Sequence, residues 1–121
     1  MSENRPDWNV ADFAILMNGC ATAGIYTNDT AEHIKYKLND TGARAIFVED
    51  AKLLKKLATI SPKETPALER VYLMDSRGVD IGYDERIVLF DALRRAGADA
   101  EAEAGAELDA RAAAAVPSDL A

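Results

Sequence analysis

The sequence predicts an α/β fold, consisting of part of a parallel sheet with helices covering its faces. Short apolar runs, typical of strands buried on both faces, occur at Ala45–Val48 and inside Arg70–Asp75. The segments around them carry apolar residues at spacings of three and four, which is typical of amphipathic helices. Because helix and strand signals alternate along the chain, we expect parallel strands joined by right-handed crossovers.

A first helix is predicted to begin at Pro6, which suits a first helical turn, and to stop at Gly19, which can adopt the left-handed backbone. Its apolar residues cover a wide arc, so we expect it to be buried on most sides; they are Trp8, Val10, Ala11, Phe13, Ala14, Ile15 and Met17. A short strand is predicted next, over Ala21–Tyr26, followed by a turn at positions 28–29.

A second helix is predicted to follow a cap at Asp29 or Thr30, and Gly42 is predicted to end it. Its inward stripe consists of Ala31, Ile34, Leu38 and Thr41. After the strand Ala45–Val48, Asp50 is predicted to cap a third helix, whose apolar face consists of Leu53, Leu54, Leu57 and Ala58. The segment Ser61–Pro66 is predicted to break regular structure before the strand Arg70–Asp75.

The rest of the chain has weaker signals. A loop is predicted over Ser76–Tyr83, a short strand over Ile87–Leu89, and a brief helix over Asp91–Arg95 that ends at Gly97. Residues 99–116 are rich in alanine and glutamate and predict a helix with a thin packing face, ended by the sequence P-S-D at 117–119. The last two residues resemble the start of a further strand, so we expect residues 1–121 to be an incomplete domain.

Composition excludes several classes of protein. Apolar residues make up 49% and charged residues 29% of the chain, which indicates a folded protein rather than a disordered or membrane-embedded one. The formal net charge is -7 and no basic cluster is interleaved with aromatics, so nucleic acid is excluded as a partner. A single cysteine, Cys20, favours a cytoplasmic setting. No secretory signal or membrane-spanning run is present, and peripheral membrane contact stays open.

Few residues suggest chemistry, and each has a plainer interpretation. His33 lacks a partner nucleophile or carboxylate at a telling spacing and is interpreted as a helix-surface residue. Cys20 follows a helix rather than beginning one, so it is interpreted as a small packing residue. Glu49 and Asp50 are interpreted as a strand end and a helix cap rather than metal ligands.

The remaining candidates are acidic, glycine and aromatic residues. The carboxylates of the alanine-rich segment are interpreted as a solvated helix face; they are Glu101, Glu103, Glu107 and Asp109. The glycines at 19, 24 and 42 match neither the dinucleotide-binding nor the phosphate-loop pattern. Trp8 and Tyr26 are interpreted as core aromatics rather than stacking platforms. From residues alone, no catalytic, cofactor-binding or metal-binding residue is assigned.

Several motifs resemble long-chain acyl-CoA synthetases of the AMP-binding, adenylate-forming superfamily. They are S-E-N-R-P-D-W at 2–8, A-D-F-A-I-L at 11–16, G-I-Y-T-N at 24–28, Y-K-L-N-D-T-G-A-R at 36–44 and F-V-E-D at 47–50. The sequences L-E-R-V at 68–71 and P-S-D-L-A at 117–121 keep the order of that family. The form G-I-Y-T is similar to the bubblegum-type fatty acid–CoA ligases.

This resemblance implies the N-terminal portion of an adenylate-forming domain, truncated before the phosphate loop. It implies a parent enzyme that uses ATP, Mg²⁺ and coenzyme A to convert a fatty acid into acyl-CoA, AMP and diphosphate. We expect this chain to lack the catalytic motifs, to hold no cofactor, to be inactive alone, and to act as a scaffold that partners the remainder of the synthetase domain. Two alternatives stay open, a self-standing non-catalytic α/β interaction module and, ranked lower, a receiver-like or flavodoxin-like domain.

Overall fold

The structure is a computed structural model that describes residues 1–79, 84–116 and 118–119. Within these residues the helices are α1 (Pro6–Met17), α2 (Ala31–Thr41), α3 (Ala51–Ala58) and α4 (Phe90–Ala114). The strands are β1 (Ala45–Val48), β2 (Arg70–Leu73) and β3 (Ile87–Leu89), with a single 3₁₀ turn at Pro62–Glu64. The strands form a parallel sheet in the order β1-β2-β3, so the predicted α/β fold is confirmed.

The hydrophobic core lies on one face of this sheet. Alternate residues of β1 and β2 point to this face and are buried, namely Ile46, Val48, Val71 and Leu73. They belong to one cluster with apolar residues of α2 and α3, namely Ile34, Leu38, Leu53, Leu54 and Leu57. The leucines of α3 fall at spacings that place them on one side of the helix, as the sequence predicted.

The opposite face of the sheet carries a row of half-buried side chains. Phe47, Tyr72 and Val88 are neighbours in register across the three strands. The rings of Phe47 and Tyr72 stack with their centroids 4.9 Å apart, and Phe90 at the start of α4 meets Phe47 edge-on at 5.9 Å. Helix α4 therefore begins against this second face.

Side chains cap the starts of α2 and α3, and glycines follow the ends of α1 and α2, where the sequence predicted. The Thr30 hydroxyl accepts a hydrogen bond from the amide of His33 at 3.3 Å, and the Asp50 carboxylate accepts one from the amide of Leu53 at 2.9 Å. Gly42 ends α2 with φ 61° and Gly19 follows α1 with φ 70°, both in the left-handed region. These local predictions are confirmed.

The strand predicted over Ala21–Tyr26 is wrong. That segment has no regular structure, because no strand of the described chain lies beside it and an unpaired strand has no hydrogen-bonding ladder. Two lysines hold the backbone and the Asp29 side chain just after this segment. Lys56 donates to the carbonyls of Thr27 and Asp29 at 2.7 and 3.0 Å, and Lys37 donates to the Asp29 carboxylate at 2.6 Å.

The prediction that α1 is buried on most sides is also wrong. Ala11 is its buried residue, whereas Phe13 is 64% exposed. Within the described residues α1 packs chiefly on α4, so most of its apolar arc has nothing to cover it.

The predicted break at Gly97 is wrong as well, since α4 continues through it from Phe90 to Ala114. A glycine inside a helix costs only about 1 kcal/mol, which the surrounding alanines and arginines offset. Residues 80–83 of the predicted loop, Pro117 of the predicted helix stop, and the predicted strand start at 120–121 lie outside the described residues.

Candidate functional site

The carboxyl ends of parallel strands are the usual place for a ligand site, because the loops that follow them gather at one edge of the sheet. Here Glu49 and Asp50 follow β1, and Asp75 lies two residues after β2. The amide of Asp75 donates to the carbonyl of Glu49 at 2.7 Å, so the backbones of these two loops are adjacent. Three acidic residues therefore lie on two adjacent loops at this edge.

Each of these carboxylates already has a local partner. Glu49 accepts hydrogen bonds from the amide of Glu3 at 2.7 Å and from the Ser2 hydroxyl at 3.3 Å, and it lies 3.6 Å from the Arg5 guanidinium. Glu49 thus fastens the N-terminal segment to the end of β1 rather than facing an open cleft.

The carboxylates of Asp75 and Asp50 also accept hydrogen bonds from nearby residues. The Arg77 guanidinium and amide donate to the Asp75 carboxylate and hold the pKa of that carboxyl well below its usual range. Asp50 is committed to the first turn of α3, as the sequence predicted. The interpretation of Glu49 and Asp50 as a strand end and a cap agrees with these contacts.

Met1 extends the sheet beyond β1. Its amine donates to the carbonyl of Phe47 at 2.7 Å, and the amide of Glu49 donates to its carbonyl at 3.1 Å, which is the pattern of a parallel bridge. Burial lowers the pKa of this amine from the ordinary 8.0 to about 6, against the opposing effect of Glu49. Burial at this position therefore favours the neutral form of the Met1 amine.

The described residues carry few groups that could hold a magnesium-bound nucleotide. No group of three or more His, Cys, Asp or Glu side chains within them is placed to hold a metal ion. A phosphate commonly binds the amides at a helix start, but the first turns of α2 and α3 already donate to Thr30 and Asp50.

The other candidate residues are scattered. His33 and the carboxylates of α4 are exposed, as predicted. Cys20, Trp8 and Tyr26 were interpreted as packing residues, and this is wrong because all three are exposed; Tyr26 is 73% exposed beneath the Lys37 amine. They lie on the N-terminal segment and loop, where the described chain supplies little to cover them.

Sequence reasoning missed the roles of Lys37, Lys56 and Met1. Lysines at helical spacing look like ordinary solvent-facing residues, and nothing in their spacing shows that they hold the loop at 24–29. Met1 gave no signal because its pairing with β1 joins residues far apart in the chain.

The comparison with known families shows to which family the chain belongs. The sequence model described as AMP-binding enzyme matches residues 1–116. The chain belongs to the AMP-binding enzyme family. It is 34% identical over 77 residues to the long-chain-fatty-acid–CoA ligase FadD15 of Mycobacterium bovis, and 32% identical over 68 residues to the long-chain-fatty-acid–CoA ligase heimdall of Drosophila melanogaster.

These matches cover most of this chain but little of its relatives. They take in 64% of this chain and 13% of the FadD15 protein, and 56% of this chain and 10% of heimdall. No solved structure matches the sequence. None of the helices among the described residues combines the length and the apolar character needed to cross a membrane. The described residues of this AMP-binding family member form a parallel sheet with helices beside it.

Proposed function

We propose that this chain is the N-terminal scaffold portion of a long-chain fatty acid–CoA ligase domain. The observation that carries the proposal is the AMP-binding family match over residues 1–116. The relatives in Mycobacterium and Drosophila, both named long-chain-fatty-acid–CoA ligases, support the substrate class. On this proposal residues 1–121 form an incomplete domain. The phosphate loop and later motifs of the family lie outside these residues.

The whole enzyme would convert a fatty acid, ATP and coenzyme A into acyl-CoA, AMP and diphosphate, with Mg²⁺ as the metal. The role proposed for this chain is architectural. Its sheet and the helices α2 and α3 would supply a rigid edge on which the acyl and nucleotide sites are built. The single cysteine supports a cytoplasmic setting, in which any membrane contact would be peripheral.

The proposal has a direct biochemical test. The purified chain is incubated with ATP, Mg²⁺, oleate and coenzyme A, and AMP is measured by chromatography beside a protein-free blank. FadD15 of Mycobacterium bovis, tested for its named activity in the same assay, is the positive control. We expect no AMP above the blank from this chain, because the described carboxylates are occupied and no phosphate-binding loop is recognisable. Turnover by the chain alone would contradict an architectural role.

A self-standing interaction module is the second candidate, and the closed core favours it. Among the described residues no buried side-chain nitrogen or oxygen lacks a hydrogen-bond partner, and the β1–α3–β2 unit with α2 encloses its apolar side chains. A sharp thermal transition from a monodisperse monomer would favour this candidate. A broad transition would favour a portion that needs the rest of its domain.

A further inference from the structure

The surface of this chain is too large for a compact monomer of its mass. The accessible surface is 8326 Å², whereas a compact monomer of 13.1 kDa exposes about 6,400 Å². Helix α4 contributes to this difference of roughly 2,000 Å², since nearly all of its residues are exposed. The chain therefore exposes more surface than a compact protein of its mass.

The apolar part of this surface is concentrated on α1. Val10, Phe13 and Met17 are 51%, 64% and 43% exposed, and their spacing of three and four residues places them on one side of the helix. We call these three residues the α1 stripe. Its intervening neighbour at position 14 is alanine, so no charged side chain lies within the stripe. An exposed apolar surface of this kind marks a contact site.

Charge argues against two occupants of the α1 stripe. A second copy would bring another net charge of -7 to the contact. A cytoplasmic membrane surface is also negative, and α1 carries Asp7 and Asp12 but no lysine or arginine. The occupant that the comparisons support is the remainder of an AMP-binding domain. The match to FadD15 takes in 13% of that protein, so most of the relative's chain is available to cover such a surface.

We propose that the α1 stripe is the surface on which the remainder of an AMP-binding domain packs. This inference rests on the proposed function and specifies the contact that joins the scaffold to the rest of the enzyme. Burying Phe13 and its neighbours would close the arc of α1 that the described chain leaves uncovered. It would also fix α4, since α1 and α4 pack against each other.

The first experiment uses the chain alone. Sedimentation equilibrium and binding of the fluorescent dye ANS are compared for the chain, for Phe13→Glu, and for Tyr36→Glu as a matched exposed aromatic on α2. We expect a monomer whose ANS binding falls at least threefold in Phe13→Glu and stays unchanged in Tyr36→Glu. A dimer that Phe13→Glu dissociates would identify a second copy as the occupant and overturn the proposal, as would ANS binding that Phe13→Glu leaves intact. Flotation with anionic phosphatidylglycerol vesicles that Phe13→Glu abolishes would identify a membrane and overturn it too.

The second experiment supplies the proposed occupant. Residues 1–116 of this chain replace the segment of Mycobacterium bovis FadD15 that aligns with the same family model. Both the chain and the chimera carry Cys20→Ser, so that a new cysteine at Phe13→Cys or at the exposed Lys52→Cys is the reactive group contributed by this segment. Maleimide labelling is read on the peptide that carries the new cysteine.

We expect Phe13→Cys to label at least tenfold more slowly in the chimera than in the isolated chain. Lys52→Cys shows that the reagent reaches the folded chimera. Equal labelling of Phe13→Cys in both proteins would overturn the proposal. AMP release by the chimera is a separate readout: protection at position 13 without ligation would leave the contact standing and contradict the proposed function. Should the chimera fail to fold, the ANS and sedimentation results on the chain alone still decide.

Discussion

The unit β1–α3–β2 with α2 and the pair α1–α4 use apolar residues in different ways. In the former, Ile34, Val48, Val71 and Leu73 are almost fully buried. In the latter, Phe13 and Val10 are mostly exposed although α1 has the more apolar sequence. The contrast teaches that an apolar pattern specifies a face that requires a partner, and that burial follows only where the chain supplies the partner.

The largest effect is expected from a truncation in the hydrophobic core between the sheet and the helices α2 and α3. Leu73→Ala should lower the free energy of unfolding by about 3 kcal/mol, because it removes a side chain that is 1% exposed and leaves a cavity under the sheet. Phe13→Ala, the matched change on α1, should alter it by less than about 0.5 kcal/mol. Urea denaturation followed by circular dichroism measures both. Equal losses would show that α1 is part of the same core.

The second effect concerns the sheet edge where Met1 pairs with β1. The amine has a pKa of 8.0 when unfolded and about 6 when folded, so the unfolded chain binds more protons between these values. Stability should therefore fall by about 2 kcal/mol as the pH drops from 8 to 6. Denaturation at both pH values checks this.

An N-terminally acetylated chain is the control for this pH effect. Its neutral amide keeps the N–H that donates to the Phe47 carbonyl, and it removes the titration. The acetylated chain should lose the part of the pH dependence that belongs to the amine. A pH dependence unchanged by acetylation would assign the effect to other groups.

The smallest effect separates two glycines in opposite conformations. Gly42 has φ 61°, so Gly42→Ala should destabilise the chain by about 1 kcal/mol. Gly97 lies inside α4 and a Cβ there meets nothing within 4 Å, so Gly97→Ala should stabilise α4 by about 0.5–1 kcal/mol. Thermal unfolding of both variants measures the two changes. Effects of the same sign would contradict the helical placement of Gly97.

Local structure was predictable in the central part of the chain. The caps at Thr30 and Asp50 and the stop at Gly42 depend on residues a few positions apart, and the structure confirms all three. The strands β1 and β2 were predicted because short apolar runs need cover on both faces. Predictions failed at Ala21–Tyr26 and along α1, where the outcome depends on neighbours that periodicity does not reveal.

The candidate site was less predictable than the fold. Spacing alone suggested that Glu49 ends a strand, but its contacts with Ser2, Glu3 and Arg5 join segments more than forty residues apart. Lys37 and Lys56 hold the loop near Asp29 from two different helices. Such contacts follow from the arrangement of the helices in space.

The sequence by itself determined the family, the alternation of helices and strands, and the residues that cap and end the central helices. These properties depend on motifs, on periodicity and on hydrogen bonds between near neighbours, all of which are local in the chain. Only the tertiary structure decided that Met1 pairs with β1 and that Phe13 faces solvent. Each of these depends on which segments meet in three dimensions. The sequence around an apolar or hydrogen-bonding group does not show which distant residue it contacts.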